Sequence, residues 1–233
     1  MKLTVIIPAY NEENTIQKIT KKVLSNKLVS EIIIINDGST DKTNAQCSKL
    51  KAQYKKIRLI DKIKNQGKGA AIRDALEIAS GDVFIIQDAD LEYDPTEYHK
   101  LILPILKGKA DVVFGSRFVG GELHRVLYLW HFVGNKFITL LANLLTDLNL
   151  SDIETCYKAF TKQVAQKLNI QENRFGFESE FTIKVSRMHV RVSEVGISYS
   201  GRSYAEGKKI KWQDGLWTIW CLVKYGLLDR FSN

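Results

Sequence analysis

The sequence predicts an α/β protein with a mostly parallel central sheet and helices on both faces. Three observations predict it. Short apolar runs alternate with amphipathic segments through the first 120 residues, and two of those runs are nearly unbroken Ile and Val, the pattern of strands buried on both faces. Each segment of helical spacing is followed by another strand, which is repeated βαβ. The residues directly after the strands are strongly polar, as at the carboxyl-end rim where such sheets bind ligands.

The strands are expected at Leu3 to Ile7, Glu31 to Ile35, Ile57 to Ile60, Val83 to Ile86 and Asp111 to Phe114. Ile16, Ile19, Val23 and Leu24 keep helical spacing, as do Ile72, Ala75, Leu76 and Ala79. The first strand runs into Pro8-Ala9-Tyr10-Asn11-Glu12 and the second into Asn36-Asp37-Gly38-Ser39. The fourth runs into Gln87-Asp88-Ala89-Asp90 and the fifth into Gly115-Ser116-Arg117. After Gly120-Gly121 a long apolar stretch, Val126 to Leu148, is interrupted by His131, Asn135, Lys136 and Asn143. A bilayer span needs about 20 mostly apolar residues with few charges, so this stretch reads as an amphipathic or interfacial helix. Leu216 to Leu228, with Trp217, Trp220, Lys224 and Tyr225, is too short to span and reads the same way. Core or oligomer-contact helices are the alternative for both.

Composition narrows the function classes. The 233 residues, 45% of them hydrophobic, suffice for one sizeable core, and 3 prolines with no biased tract argue against disorder and repeats. Cys47, Cys156 and Cys221 are odd in number and widely spaced, which suits a reducing compartment and offers no CxxC metal site. The short apolar run before Pro8 lacks the features of a signal peptide, so a cytosolic location is expected. A charge of +8 and a pI near 9.2 favour anionic partners: nucleic acid, phosphorylated small molecules or an anionic membrane. Nucleic acid ranks low, because neither an aromatic stacking sheet motif nor a basic recognition helix is present.

Asp88-Ala89-Asp90 is the strongest local signal. Two carboxylates one residue apart, directly after a buried strand, can face a divalent ion that takes oxygen ligands, and Glu92 is placed to add another oxygen. In Asp37-Gly38-Ser39-Thr40-Asp41, Ser39 or Thr40 is expected to cap the next helix. That leaves Asp37 free at the rim to accept hydrogen bonds from a base or ribose hydroxyl. Asn65-Gln66-Gly67-Lys68-Gly69-Ala70-Ala71 opens the next helix with glycines and a lysine, so free amides and a cation can face an anion, although the spacing is not that of a P-loop. His124, His131 and His189 show no metal-ligand spacing, and His131 is the one candidate for acceptor contact.

Taken in order, Ile6-Ile7-Pro8-Ala9-Tyr10-Asn11-Glu12, Asn36-Asp37-Gly38-Ser39, Asn65-Gln66-Gly67-Lys68-Gly69, Asp88-Ala89-Asp90 and Gly115-Ser116-Arg117 closely resemble family 2 glycosyltransferases of the GT-A fold. Within that family the chain looks like dolichyl-phosphate mannose synthases and bacterial polyprenyl-phosphate glycosyltransferases. The resemblance implies a GT-A type nucleotide-diphospho-sugar transferase fold in one domain, residues 1–120 binding the nucleotide sugar and 121–233 the acceptor. It places Pro8, Tyr10, Glu12 and Asp37 around base and ribose, with Lys68 near the same nucleotide. Asp88, Ala89 and Asp90 would meet the donor diphosphate, Asp88 and Asp90 holding Mg²⁺ or Mn²⁺, with Glu92 as third ligand where members often carry Gln. Arg117, Arg202 and Lys208 would contact phosphates. Asp152 stands where the family carries an acidic residue near the acceptor, either orienting the acceptor or a basic partner or capping the next segment.

The implied reaction is inverting transfer of a hexose from a donor of GDP-mannose or UDP-glucose type to polyprenyl or dolichyl phosphate. The site would lie at the cytoplasmic face of a membrane, bound peripherally, with a homo-oligomer or a small membrane-anchoring partner as further possibilities. Transfer to a soluble glycan or protein, and a catalytically silent nucleotide-sugar-binding subunit, are the rival readings.

Overall fold

The computed structural model describes residues 1–121, 125–126, 128–202 and 212–230. Seven strands form one sheet: β1 (Leu3–Ala9), β2 (Val29–Asp37), β3 (Ile57–Lys62), β4 (Val83–Ile86), β5 (Val112–Ser116), β6 (Lys158–Thr161) and β7 (Val192–Gly196). Their spatial order is β3-β2-β1-β4-β6-β5-β7, and only β6 runs antiparallel to its neighbours. Every other strand therefore ends at the same rim. The Ile and Val runs explain the centre: Ile6, Ile7, Ile32 to Ile35, Ile85 and Ile86 are wholly buried because helices cover both faces.

Those helices are α1 (Ile16–Ser25), α2 (Thr43–Gln53), α3 (Lys68–Ile78), α4 (Tyr98–Leu106), α5 (Leu129–Thr146), α6 (Lys162–Lys167), α7 (Phe177–Arg187) and α8 (Trp212–Gly226). The strands run further toward the rim than their apolar runs suggested, so Asn36, Asp37, Gly115 and Ser116 belong to strand ends rather than to the loops beyond. Ladder pairing carries them there: Asn36 and Asp37 pair with Asp61 and Lys62.

The stretch expected as one helix from Val126 to Leu148 is α5. It begins after Tyr128, whose backbone is extended, and ends at Asp147 in the left-handed region, φ 57°. Its polar interruptions clip it to the following turn. Asn143 donates to the Leu150 carbonyl and accepts from the Leu150 amide, Lys136 reaches the Ser151 carbonyl, and Asn135 donates to Asp152. Helices α5, α7 and α8 pack on one another. Tyr128, just before α5, and its residues Leu129, Trp130 and Phe137 stay exposed, as do Leu216, Trp217 and Trp220 of α8. Among the described residues no helix is long and apolar enough to cross a membrane.

The start of α3 lies against the segment before α7. Gly67, at φ 103°, precedes it, the Ala70 amide donates to the Asn173 carbonyl, and a methyl at Gly69 would sit 2.1 Å from the Glu172 carbonyl oxygen. Alanine in place of glycine within a helix ordinarily stabilises by about 1 kcal/mol. Here the sign inverts, and Gly69→Ala is expected to cost about 1–3 kcal/mol in urea unfolding. A more stable variant would contradict the close seam.

Candidate active site

The rim gathers the polar strand ends, and hydrogen bonds fix each in place. Asn11, at φ 51°, ties the loop after β1 to the loop after β2: its amide donates to Ser39 Oγ and its Oδ1 accepts from the Thr40 amide. The Glu12 amide donates to Thr43 Oγ1. Neither Ser39 nor Thr40 caps a helix, contrary to the sequence expectation. Helix α2 begins at Thr43, whose amide donates to Asp41 Oδ1, because Ser39 and Thr40 are taken by the loop opposite.

Asp37 differs from its expected role as well. It is 3% exposed, and its carboxylate turns inward to accept from the Gly67 amide at 2.7 Å, the Gln66 amide at 3.1 Å and Asn65 Nδ2 at 2.9 Å, with Lys62 Nζ at 3.4 Å. Asp37 thus shapes the 65–67 loop instead of standing free. Gly38, at φ 67°, permits the approach, since a Cβ there would lie 2.5 Å from the Asn65 nitrogen. The Gln66 and Gly67 amides of that loop are spent on Asp37 and the Ala70 amide on Asn173, so these three do not face an anion. Of the residues assigned to base and ribose, Pro8 lies within β1 just before its last residue, Tyr10 is exposed at the rim, and Glu12 is buried at 8% exposure.

Strand β4 delivers Asp88, Ala89 and Asp90. The residue before them, Gln87, is buried and accepts from the hydroxyls of Tyr98 and Tyr157, which fixes the strand's exit. Asp88 faces Lys68 Nζ at 2.9 Å, and the same ammonium lies 2.9 Å from Glu178 of α7. Burial works to strip Lys68 of its proton, yet the charges of Asp88 and Glu178 hold the ammonium well above its ordinary value. Asp90 accepts from the Glu92 amide at 3.1 Å and from Arg202 Nη2 at 3.0 Å. Its carboxyl is pushed up to about 8, first by burial and then by the charges of Asp88 and Glu92, against the pull of Arg202. Glu92 accepts from Tyr199 Oη and from the backbone and Nε of Arg202. One guanidinium therefore bridges Glu92 and Asp90.

Arg117 leaves β5 and meets Asp152 in a two-pronged pair, Nε at 2.7 Å and Nη2 at 2.8 Å, with its ring neighbour Tyr199 5.1 Å away. Burial works to raise the Asp152 carboxyl, but Arg117 overrides it and leaves it below the usual range. Asp152 is thus the orienter of a basic partner and not a helix cap. Lys208 and His124 lie outside the described residues. His131 stacks loosely on Tyr128, ring centres 5.9 Å apart, at the start of α5.

Sequence reasoning missed the charged layer beneath the rim. Lys158, wholly buried in β6, donates to the carbonyls of Ile153 and Thr155. Glu154 Oε1 and Glu178 Oε2 are buried without a hydrogen-bond partner among the described residues. The signal was present for Glu178 and Glu180: both stand between Phe177 and Phe181, core-facing aromatics one helical turn apart.

A divalent ion suits this donor set. Asp88 and Asp90 offer carboxylate oxygens of the kind such an ion takes, and each already accepts positive charge, from the ammonium of Lys68 and the guanidinium of Arg202. Among the described residues no group of three or more His, Cys, Asp or Glu is arranged to hold a metal ion.

Glu154 generates a pH prediction. Burial, and next the charge of Glu178, push its carboxyl up to about 7. An unfolded glutamate titrates near about 4.3, so the wild type loses stability as pH rises from there through the folded value, then levels off. Glu154→Gln removes that loss. Its thermal unfolding is expected to match the wild type near pH 4 and to show a gain of about 1–3 kcal/mol at pH 8. Parallel pH profiles would show that Glu154 ionises without penalty.

Residues 4–168 match Glycosyl transferase family 2. The chain is 30% identical to the dolichol-phosphate mannosyltransferase of Pyrococcus furiosus, over 99% of this chain and 66% of that one. It is 27% identical to a dolichyl-phosphate beta-glucosyltransferase of Trichomonas vaginalis, over 88% of this chain and 67% of that one. The chain thus spans about two thirds of the length of these two relatives. Its fold matches glucosyl-3-phosphoglycerate synthase from Mycobacterium tuberculosis, solved with Mn²⁺, UDP and phosphoglyceric acid, with TM-score 0.76 and 20% identity over 97% of this chain and 78% of that one. The architecture is GT-A, and the chain belongs to glycosyl transferase family 2.

Proposed function

We propose that the chain is a metal-dependent, inverting hexosyltransferase that moves a sugar from a nucleotide donor of GDP-mannose or UDP-glucose type to polyprenyl or dolichyl phosphate. One observation carries this reading: Asp88 and Asp90, side by side at the carboxyl end of β4, each face a cation, where a family 2 enzyme needs charge for a departing diphosphate. The names of the Pyrococcus and Trichomonas relatives support the donor and the lipid acceptor.

Asp88 and Asp90 would hold Mg²⁺ or Mn²⁺, which supplies positive charge to the diphosphate. Arg202 and Lys208 would neutralise phosphate oxygens. Pro8, Tyr10 and Glu12 line the nucleotide side, and Asp37 acts through the 65–67 loop that it holds. Arg117, its plane fixed by Asp152, presents a cation to the acceptor phosphate. An oxygen of that phosphate attacks the anomeric carbon from the face opposite the diphosphate. The bond to the diphosphate oxygen breaks, and its electron pair stays on the nucleoside diphosphate. A phosphate monoester is largely dianionic at neutral pH, its second pKa being near about 6, so the attack needs no general base.

The exposed aromatic and leucine side chains of α5 and α8, on a chain of charge +8, suit peripheral attachment to the cytoplasmic face of an anionic membrane. A second reading, transfer to a sugar or other hydroxyl, is favoured by Glu154. Its raised carboxyl next to the Arg117–Asp152 pair is the kind of group a hydroxyl acceptor requires as base.

The test is transfer of labelled hexose from GDP-mannose or UDP-glucose, with Mn²⁺, to polyprenyl phosphate or to free glycans, followed by partition into organic solvent. Label is expected in the organic phase, to be abolished by EDTA and reduced about 100-fold or more by Asp90→Asn or Asp88→Asn, with thermal unfolding retained. Label confined to glycans would favour the second reading. Turnover surviving both chelation and Asp90→Asn would remove the metal.

A further inference from the structure

Arg202 sits on a carboxylate that the proposed function assigns to the metal. Its Nη2 lies 3.0 Å from Asp90 Oδ2, its Nε 3.3 Å from Glu92 Oε1 and its Nη1 3.7 Å from Glu12 Oε1. Acidic side chains from the β1 loop and the β4 loop thus converge on one guanidinium, whose side chain is 19% exposed. Its backbone is tethered as well. The Arg202 amide donates to Glu92 Oε1, the Ser200 amide to the Glu92 carbonyl, Tyr199 Oη to Glu92 Oε2, and Arg125 Nη1 to the Gly201 carbonyl.

Two facts of chemistry follow. The lone pairs of Asp90 that accept from Arg202 are those a divalent ion would use, and a guanidinium a few ångströms away repels that ion. A guanidinium also matches a diphosphate in shape and charge better than it matches single carboxylates scattered around it.

We propose that Arg202 is the built-in counter-cation of the metal site. It occupies Asp90 in the donor-free protein, weakens binding of a lone divalent ion, and leaves for the donor diphosphate when nucleotide and metal arrive together. Metal and nucleotide binding are thereby coupled beyond their direct contact, and Glu92 is a positioning residue that keeps the guanidinium within reach. No bond is made or broken in the exchange. The inference rests on the reading of Asp88 and Asp90 as metal ligands.

The experiment is a Mn²⁺ titration of the protein without nucleotide, reading free Mn²⁺ by electron paramagnetic resonance, for wild type, Arg202→Gln and Arg202→Met. Asp90→Asn is the control for the site itself. The same titrations are repeated with saturating GDP or UDP. Removing the charge is expected to tighten nucleotide-free Mn²⁺ binding by about ten-fold or more, and to shrink by a similar factor the extra affinity conferred by nucleotide. Either folded variant suffices, with circular dichroism as the check. Unchanged or weaker Mn²⁺ binding in a folded variant overturns the exchange while leaving the metal site intact, provided Asp90→Asn abolishes binding. No Mn²⁺ binding in any protein, with or without nucleotide, would sink the metal reading and this inference with it.

Discussion

A carboxylate buried at the end of a β-strand must be compensated, and that demand organises this molecule. The parallel strands end at one rim, where Asp37, Asp88 and Asp90 arrive together, and Asp152 approaches the end of β5 from its own turn. Each meets fixed donors or a cation: the 65–67 amides for Asp37, Lys68 for Asp88, Arg202 for Asp90 and Arg117 for Asp152. Leaving one partner of such a pair unmatched costs about 3–5 kcal/mol, so the pairs fix the loops that carry them.

Those partners reach across the fold. Lys68 opens α3 and also meets Glu178 of α7, so the lysine joins the first half of the chain to the second beside Asp88. Arg202, in the segment after β7, meets Glu12, Asp90 and Glu92. Arg117 and Tyr199 stack beside the same segment. A charge arriving at the rim therefore acts on elements distant in sequence, and the compensating cations are the groups a diphosphate or a phosphate acceptor can recruit.

Much of the fold was legible because burial on both faces writes itself into sequence as unbroken Ile and Val. β4 fell where it was expected, while β1, β2, β3 and β5 run further to the rim, β2 also starting earlier, at Val29, and β5 later, at Val112. β6 and β7 were not legible: β6 is short, antiparallel, and contains a buried lysine satisfied by carbonyls of its own approach, and β7 is a half-buried strand at the sheet edge. The DxD pair was visible as spacing after a strand. The inward turn of Asp37, the use of Ser39 and Thr40 to hold Asn11, and the pairing of Arg117 with Asp152 were not, because each depends on which loop lies opposite. Residue type announces that a group needs a partner, while tertiary contact decides which one.

The central proposal is that Asp90 exchanges the guanidinium of Arg202 for a divalent ion bound with the donor diphosphate. Crystals grown with Mn²⁺ and a nucleoside diphosphate, measured at the manganese absorption edge, test it most directly. The account predicts an anomalous peak within coordination distance of the diphosphate and of at least one of Asp88 and Asp90, with Arg202 moved from Asp90 toward phosphate. Bound nucleotide with no anomalous peak there, and Arg202 still seated on Asp90, would contradict it.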